Sequence, residues 1–235
     1  YGVEALCEAV RETVRACRLS ACYIRPLIYL GYGEMGLNPL PCTVNVSVAL
    51  WPWGAYLGDE GAEKGIRLKI SSWARHDSRS MPTAAKATGM YINSSLAKVE
   101  AVRAGYDEAL MMTTDGYCAE GTGENLFVVR DGVLVTPPNS AVGALDGITA
   151  NSAIEIARDL GYEVKEALIR RPDVYLADEV FLTGTAAEIV PVQSIDDRVI
   201  GEGKPGAVTR AIQETYLQAV RGENSRYERW LDRVN

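Results

Sequence analysis

Two hydrophobic periods alternate along this chain, and this alternation constrains its fold more than any other feature. Apolar residues recur at helical spacing in residues 3–18, 147–161 and 205–221, which predicts three amphipathic helices. The segments CTVNVSVAL at 42–50 and IRLKISS at 66–72 instead alternate with period two, as strands with one buried face do. Because helices and strands follow one another without an internal repeat, the sequence predicts a mixed α and β architecture.

The middle of the chain contains a further predicted helix and a predicted hairpin. The pattern is helical from about residue 83 or later to residue 104, and its large apolar residues are expected to face inward. They are Ile92, Leu96, Val99 and Val102. The segment NLFVVRDGVLVTP at 125–137 predicts a β-hairpin that turns at Asp131-Gly132. The loop near residues 74–81 is the one candidate for a linker.

Composition excludes several classes of protein. With 235 residues, 47% of them hydrophobic, the chain can bury a sizeable core. Its net charge of -7, with no Lys/Arg-rich stripe to offset it, argues against nucleic acid as a partner. No apolar run approaches the roughly 20 residues of a membrane-spanning helix. The five cysteines show no CxxC pair and no metal-ligand spacing, so we predict reduced core cysteines in a cytoplasmic protein, without a disulfide framework or a metal site.

One lysine differs from the others in its surroundings. In TAAKATGMY, residues 83–91, Lys86 lies among small residues. Such surroundings would partly desolvate the ammonium group and favour a neutral amine that can attack a carbonyl. Taken alone, the position is more typical of a surface lysine. The remaining lysines lie beside charges or at turns and are predicted to be solvated: Lys64, Lys69, Lys98, Lys165 and Lys204.

Three glycine-containing turns could bind the polar groups of a phosphorylated aromatic cofactor. LDGIT at 145–149 and TGTAA at 183–187 both follow strand-like runs and are predicted to open helices, whose free N–H groups attract phosphate. Ordinary helix capping is the alternative for each turn. In AEGTGEN, residues 119–125, Glu120 could pair with a pyridinium nitrogen. Glu124 is a competing candidate, and spacing does not choose between the two.

Four motifs occur in an order that resembles a known family. TAAKATGMY, AEGTGENLFVVRDGVLVTPP, LDGIT and LADEVFLTGTAAEIVPV resemble the class IV aminotransferases, specifically the branched-chain amino acid aminotransferases. The resemblance implies the large domain of a fold type IV enzyme, with a mixed sheet that closes as a pseudo-barrel. Most of the family's small N-terminal domain has no counterpart here. The expected division is residues 1–57 for the remainder of that domain and residues 58–235 for the large domain.

The resemblance also implies pyridoxal 5′-phosphate as the cofactor and residues to hold it. Lys86 is then the Schiff-base lysine and the base that removes the substrate's Cα proton, Tyr91 bonds the cofactor's phenolic oxygen, and Glu120 pairs with the ring nitrogen. The phosphate would be held by the two Thr-containing turns, through Leu145, Gly147, Ile148, Thr149, Gly184 and Thr185.

Substrate-binding residues follow from the same resemblance. In CYIRPL, Tyr23 and Arg25 lie on one strand face, and an arginine fork matches a carboxylate, although a structural ion pair is the alternative. The family pattern assigns both residues to the side-chain carboxylate of glutamate. It assigns the N–H groups of Thr185 and Ala186 to the α-carboxylate. It assigns Trp53 and Tyr56 to the wall for the branched side chain, for which plain core packing is the alternative.

The function implied is transfer of the amino group of leucine, isoleucine or valine to 2-oxoglutarate. The alternatives are a D-amino acid transaminase or an aminodeoxychorismate lyase of the same fold, or an inactive large-domain fragment. The resemblance implies a homodimer or a larger homo-oligomer. Asp146, in LDGIT, would place a negative charge near the phosphate, and the single histidine, His76, is expected to be solvated.

Overall fold

The computed structural model describes residues 1–54 and 59–234. It divides into two compact units, Tyr1–Gly54 with Leu231–Asn235 and Ala55–Trp230. Tyr56 lies outside the described residues. Within the described ranges, no helix is both long enough and apolar enough to cross a membrane.

The first unit contains a helix and a two-stranded sheet. Helix α1 spans Val3–Ala16, and strands β1 and β2 span Tyr23–Leu30 and Val44–Trp51. The strands pair antiparallel along their whole length, with Tyr23 opposite Trp51. The helical period at 3–18 and the period-two alternation at 42–50 therefore predicted these elements within two residues.

The second unit contains a 10-stranded mixed sheet. Its strands are β3 Ile66–Ala74, β4 Glu108–Met112, β5 Tyr117–Glu120, β6 Asn125–Arg130, β7 Val133–Thr136, β8 Glu163–Glu166, β9 Ile169–Arg170, β10 Glu179–Gly184, β11 Glu188–Ile195 and β12 Arg198–Val199. Strands β3, β4, β5, β6, β10 and β11 pair in that order, and β11 pairs with β3, so these strands form a closed ring. The ring confirms the predicted pseudo-barrel.

Alternate residues of the ring strands pack into two separate clusters. On β6, Leu126 and Val128 join a cluster that takes residues from all six ring strands, so this cluster fills the enclosed face. Phe127 and Val129 join a second cluster, where Phe127 stacks on Phe181 with ring centroids 4.9 Å apart. Period-two patterning thus buries both faces of the strands, because helices cover the outside of the ring.

Helices and short turns surround the ring. They are α2 Asp59–Lys64, a 3₁₀ helix Thr88–Met90, α3 Tyr91–Arg103, α4 Asn139–Val142, α5 Ile148–Asp159, α6 Arg171–Tyr175, α7 Ala207–Val220 and a 3₁₀ helix Ser225–Trp230. Helices α5 and α7 supply the residues that complete the second cluster. The hairpin β6–β7 turns at Asp131 and Gly132, whose φ angles of 51° and 75° confirm the predicted turn.

Helix α3 faces the sheet with the stripe opposite to the predicted one. Its buried residues are the small or polar ones, Asn93, Ser94, Ala97 and Ala101. The predicted inward residues are exposed: Ile92 by 68%, Leu96 by 42%, Val99 by 48% and Val102 by 54%. The apolar period correctly predicted that this segment is a helix, but it predicted the wrong buried face. The small residues face the sheet because small side chains let a helix approach a sheet closely.

The turn TGTAA does not open a helix, contrary to the prediction. It connects antiparallel strands β10 and β11, which pair Gly184 with Glu188. Glu188 has a φ of 56°, in the left-handed region that such short hairpin connections use at their end. The segment after the turn, EIVPVQSI, forms strand β11 rather than a helix, because it pairs with β3 and closes the ring.

Two smaller expectations are also wrong. All five cysteines are free, but only Cys118 is buried in the core, because the others lie in the thinly packed first unit. The predicted linker at 74–81 lies within the second unit, and Arg75 in it is only 7% exposed.

Candidate active site

Lys86 lies on the loop that leads into α3. It comes two residues before the 3₁₀ helix Thr88–Met90, and Tyr91 begins α3. Lys86 Nζ donates a hydrogen bond of 2.8 Å to Tyr91 Oη. The side chain of Lys86 is exposed, so the expected desolvation is wrong for this chain. The alanines on either side are too small to cover the amine, and they leave it open to an approaching molecule.

Glu120 lies at the end of β5, buried to 6% exposure. Its Oε1 is 2.7 Å from Nε of the buried Arg75, and its Oε2 accepts a hydrogen bond of 3.1 Å from the N–H of Leu145. Burial raises the pKa of Glu120 to about 7, although the Arg75 and Lys86 charges act to lower it. A carboxylate near Lys86 is thus held by one ion pair and one backbone hydrogen bond, and its pKa is near neutrality.

Glu124 is a second buried carboxyl group in the same turn. It is 3% exposed, and its Oε2 accepts a hydrogen bond of 3.1 Å from the N–H of Gly123. Burial, followed by the charge of Glu108, raises the pKa of Glu124 to about 8. Glu124 is therefore mostly protonated at neutral pH, whereas Glu120 faces a guanidinium. This difference favours Glu120 over Glu124 as the group that carries negative charge.

Glu108 is fully buried and supports the turn from the other side. Its Oε2 is 2.6 Å from Lys98 Nζ, and its Oε1 accepts a hydrogen bond of 2.8 Å from Thr122 Oγ1. The prediction that Lys98 is solvated is wrong, because α3 directs this lysine to a buried carboxylate. The same carboxylate fixes Thr122, at the centre of the turn between Glu120 and Glu124.

The N-terminus of α5 has the features of an anion site. Its N-cap is Gly147, which provides no side-chain cap for the free N–H groups. A Cβ at Gly147 would lie 2.0 Å from Asn125 Oδ1, so the backbone and Asn125 approach as closely as glycine allows. Asn125 Nδ2 in turn donates 2.7 Å to the carbonyl of Leu145. The charge of Asp146 is partly satisfied, since its Oδ1 accepts from Asn151 Nδ2 at 3.1 Å.

Two adjoining cavities share Lys86. A small cavity is bounded by Lys86, Tyr91 and Glu120, together with Arg75 and Glu124. A larger cleft of about 290 Å³ is bounded by Lys86 and by the two Thr-containing turns. The turn residues are Leu145, Asp146, Gly147, Ile148, Thr149, Thr183, Gly184 and Thr185. Lys86 lines both cavities together with Gly123, Asn125 and Leu145, and it is the charged one of these four residues.

Tyr23, Arg25 and Trp53 lie together in the first unit. Arg25 Nη2 donates 3.1 Å to Tyr23 Oη, and the Tyr23 ring meets that of Trp53 edge to face at 4.5 Å. The guanidinium also lies 5.8 Å from the Trp51 ring. Within residues 1–54 and 59–234, Arg25 forms no ion pair with a carboxylate, so the structural ion pair that competed with the substrate role is not found.

Comparison with known proteins assigns the family. The family model described as amino-transferase class IV matches residues 1–195. The branched-chain-amino-acid aminotransferase of Escherichia coli (strain K12) is 48% identical over 235 residues, which are 100% of this chain and 76% of that protein. The chain belongs to the branched-chain-amino-acid aminotransferases of class IV.

Solved structures of branched-chain aminotransferases have the same fold. The enzyme from T.th. with pyridoxamine 5′-phosphate matches with a TM-score of 0.95 and 52% identity, over 100% of this chain and 77% of that one. The enzyme from Thermobaculum terrenum in its PLP form matches with a TM-score of 0.94 and 38% identity, over 100% of this chain and 76% of that one. At these identities the whole described fold is that of a branched-chain aminotransferase.

In this class IV aminotransferase, sequence reasoning missed three residues near Lys86. Arg75 lies in the loop that the sequence offers as a linker, and its position three residues after the predicted strand at 66–72 is the signal for a contact with the sheet. Asn125 ends the motif AEGTGEN, and the motif does not indicate its hydrogen bond to the carbonyl of Leu145. Thr183 is 1% exposed with no hydrogen-bond partner for Oγ1 among the described residues, and nothing in its sequence context indicates that. Of the predicted residues, Ala186 is half-buried in the turn after Thr185.

Proposed function

We propose that this class IV aminotransferase transfers the amino group of L-leucine, L-isoleucine or L-valine to 2-oxoglutarate, giving branched-chain 2-oxo acids and L-glutamate, with pyridoxal 5′-phosphate as cofactor. One observation carries the proposal: Lys86 lines two adjoining cavities, one with the buried Glu120 and one with the uncapped N-terminus of α5. An amine, a carboxylate and a helix N-terminus match the carbonyl, the ring nitrogen and the phosphate of that cofactor.

The residues present fit the cofactor. The N–H groups at the start of α5 and the Thr183 hydroxyl, which has no partner among the described residues, would both donate hydrogen bonds to phosphate oxygens. Glu120 would hold the ring nitrogen, and Tyr91 the phenolic oxygen. When bound, the cofactor supplies an electron sink for the pair left behind when the Cα–H bond of the substrate breaks. The phosphate would be held by Leu145, Gly147, Ile148, Thr149, Gly184 and Thr185.

The protein's own groups would hold and move one proton. The lone pair of Lys86 Nζ would remove the proton from the substrate Cα. Tyr91 Oη accepts a hydrogen bond from Nζ at 2.8 Å and would orient the amine for this step. Glu120, held by Arg75 and by the Leu145 N–H, would keep its charge against the ring nitrogen.

Substrate carboxylates would be bound by two groups of donors. The guanidinium of Arg25 would take the side-chain carboxylate of glutamate, with Tyr23 beside it. The N–H groups of Thr185 and Ala186 would take the α-carboxylate. Trp53 is 43% exposed and offers an aromatic surface for a branched side chain, as would Tyr56. The relatives reported above do not favour a D-amino acid transaminase, an aminodeoxychorismate lyase or an inactive fragment.

We also propose a homodimer or larger homo-oligomer that works in the cytoplasm. The exposed apolar stripe of α3 supports a second copy as its partner, since monomers rarely expose such a contiguous patch. Five free cysteines suit a reducing compartment. Residues 1–57 are proposed as the remainder of a small N-terminal domain, and residues 58–235 as the cofactor-binding domain.

The decisive experiment combines activity with trapping of the cofactor. The protein should form 2-oxo acid from L-leucine with 2-oxoglutarate and should bind pyridoxal 5′-phosphate as a visible chromophore. Borohydride should fix the chromophore on the peptide that contains Lys86. Lys86→Ala should lower turnover by roughly 100-fold or more, because it removes the acid–base group, while circular dichroism stays that of the parent.

Lys165→Ala is the matched control, because that exposed lysine pairs with Glu163 on the surface. It should leave trapping and turnover unchanged. Activity confined to D-alanine would reject the substrate assignment. Trapping on a lysine other than Lys86 would reject the site.

A further inference from the structure

Arg75 is a buried cation that the proposed chemistry of Lys86, Tyr91 and Glu120 does not itself require. It follows the last residue of β3, and its N–H donates 2.7 Å to the carbonyl of Met112, which fixes its backbone to β4. Its side chain is only 7% exposed. Burying a guanidinium is costly unless it is paired, so a partner must offset that cost.

The guanidinium has two partners on different segments. Nε lies 2.7 Å from Glu120 Oε1 and donates 3.1 Å to the carbonyl of Gly143. Gly143 has a φ of 67°, and a Cβ there would lie 2.5 Å from the carbonyl oxygen of His76. The loop that carries Arg75 is therefore in tight contact with the segment that leads into LDGIT.

Both carboxylate oxygens of Glu120 have a partner in this arrangement. Arg75 holds Oε1, and the N–H of Leu145, two residues after Gly143, holds Oε2. A displacement of Arg75 would thus move both the Glu120 carboxylate and the turn that opens α5. The other charged groups that act on Glu120 or its turn are Lys86, Glu124, Glu108 and Lys98.

We propose that Arg75 is a positioning residue that holds the Glu120 carboxylate ionised and ties it to the 143–149 segment, so that ring-nitrogen and phosphate contacts are aligned with Lys86. The inference rests on the proposed function, because it assigns Glu120 to the cofactor. Arg75 acts through Glu120 and Gly143 and needs no contact with the substrate.

The physical reason is electrostatic. A neighbouring guanidinium lowers the pKa of a carboxyl group by roughly one to three units. Without Arg75, the pKa of Glu120 would rise from about 7 to higher values. The ionised fraction at pH 7 would then fall roughly fivefold or more for each unit of rise.

The test compares Arg75→Gln and Arg75→Lys with Arg79→Gln, all loaded with pyridoxal 5′-phosphate. Arg79 is a matched control on the same loop, because its side chain is 88% exposed and pairs with Asp77. Three quantities are measured: the pH dependence of kcat with L-leucine, the absorbance of the bound cofactor against pH, and its Kd. In Arg75→Gln the acid limb of the kcat profile should move to higher pH by about one unit or more, and the absorbance titration of the bound cofactor should shift in the same direction. The Kd for pyridoxal 5′-phosphate should rise.

Arg75→Lys keeps a positive charge and should return the acid limb and the titration close to those of the parent. Arg79→Gln should change none of the three. A folded Arg75→Gln protein with the parent's titration and Kd overturns the inference. So does a folded Arg75→Lys protein whose acid limb moves as far as that of Arg75→Gln.

A double variant covers the case in which Arg75→Gln does not fold. Arg75→Gln with Glu120→Gln removes both members of the buried ion pair, so it should fold, and its absorbance titration should match that of Glu120→Gln alone, because no carboxyl group is left for Arg75 to keep ionised. A further shift of the titration in the double variant means that Arg75 acts on the cofactor independently of Glu120 and overturns the inference. A parent protein without a chromophore or leucine turnover instead rejects the proposed function itself.

Discussion

At the scale of single residues, an ion pair decides which of the two buried carboxyl groups of AEGTGEN carries charge. Glu120 and Glu124 are both nearly inaccessible, but only Glu120 lies against a guanidinium. Glu124 faces the carboxylates of Glu108 and Glu120, and its pKa rises to about 8. The sequence could not choose between the two glutamates, because Arg75 is distant in the chain and reaches Glu120 only through the fold.

The raised pKa of Glu124 predicts how stability changes with pH. Since the folded pKa of about 8 exceeds the ordinary value of 4.5, its contribution is fully present below pH 4.5 and is lost as pH rises through 8. Glu124→Gln removes this contribution, so its unfolding free energy should fall less between pH 5 and pH 8.5 than that of the parent. The difference should be as large as a few kcal/mol, at about 1.4 kcal/mol per pKa unit.

Urea unfolding of the cofactor-free proteins at pH 5, 7 and 8.5 would measure this difference. Glu163→Gln is the control, since that carboxyl group is 60% exposed in a surface pair. Its curve should run parallel to that of the parent. A parallel curve for Glu124→Gln as well would contradict the assignment.

At the scale of elements, the start of α5 depends on one glycine. Gly147 has a φ of −78°, which any residue can adopt, so only space restricts it. The nearest obstacle is the side chain of Asn125, which is buried and bonded to the carbonyl of Leu145. The motif LDGIT indicated a glycine turn, but its reason lies in a contact with another strand.

Gly147→Ala should therefore destabilise the protein and weaken binding of pyridoxal 5′-phosphate. Its Cβ would lie 2.0 Å from Asn125 Oδ1, and moving that side chain would break its hydrogen bond. A cost of about 1–3 kcal/mol is expected for such overpacking. Gly89→Ala is the matched control, because a Cβ there meets nothing within 4 Å. Thermal unfolding and cofactor titration of both variants check the prediction, and equal stability of the two would contradict it.

At the scale of the whole molecule, ring closure brings distant segments to Lys86. Strand β5 carries Glu120, and β10 ends at Gly184 beside the cleft. Both strands flank β6, which carries Asn125 at its first residue. The site therefore lies where several ring strands end, and local pattern alone could not place these ends together.

The exposed stripe on α3 leads to a prediction about assembly. If a second copy covers it, Leu96→Glu with Val99→Lys should lower the mass in solution from that of an oligomer to that of one chain, because charges would replace the buried apolar surface. Leu160→Lys is the control, as a singly exposed apolar residue at the end of α5. Sedimentation would measure the mass, and an unchanged mass would remove α3 from the interface.

The sequence by itself determined the four longest helices, the hairpin at Asp131-Gly132, the mixed architecture and the family, because periodicity, turn chemistry and the ordered motifs are local properties of the chain. The proximity of Lys86 and Tyr91 was also predictable from the sequence, because the two residues are five positions apart at the start of a helix. Tertiary structure decided which face of α3 is buried, that TGTAA joins strands, and that Arg75 meets Glu120. Each of these depends on what packs against a segment, and a segment's own sequence does not contain its neighbours.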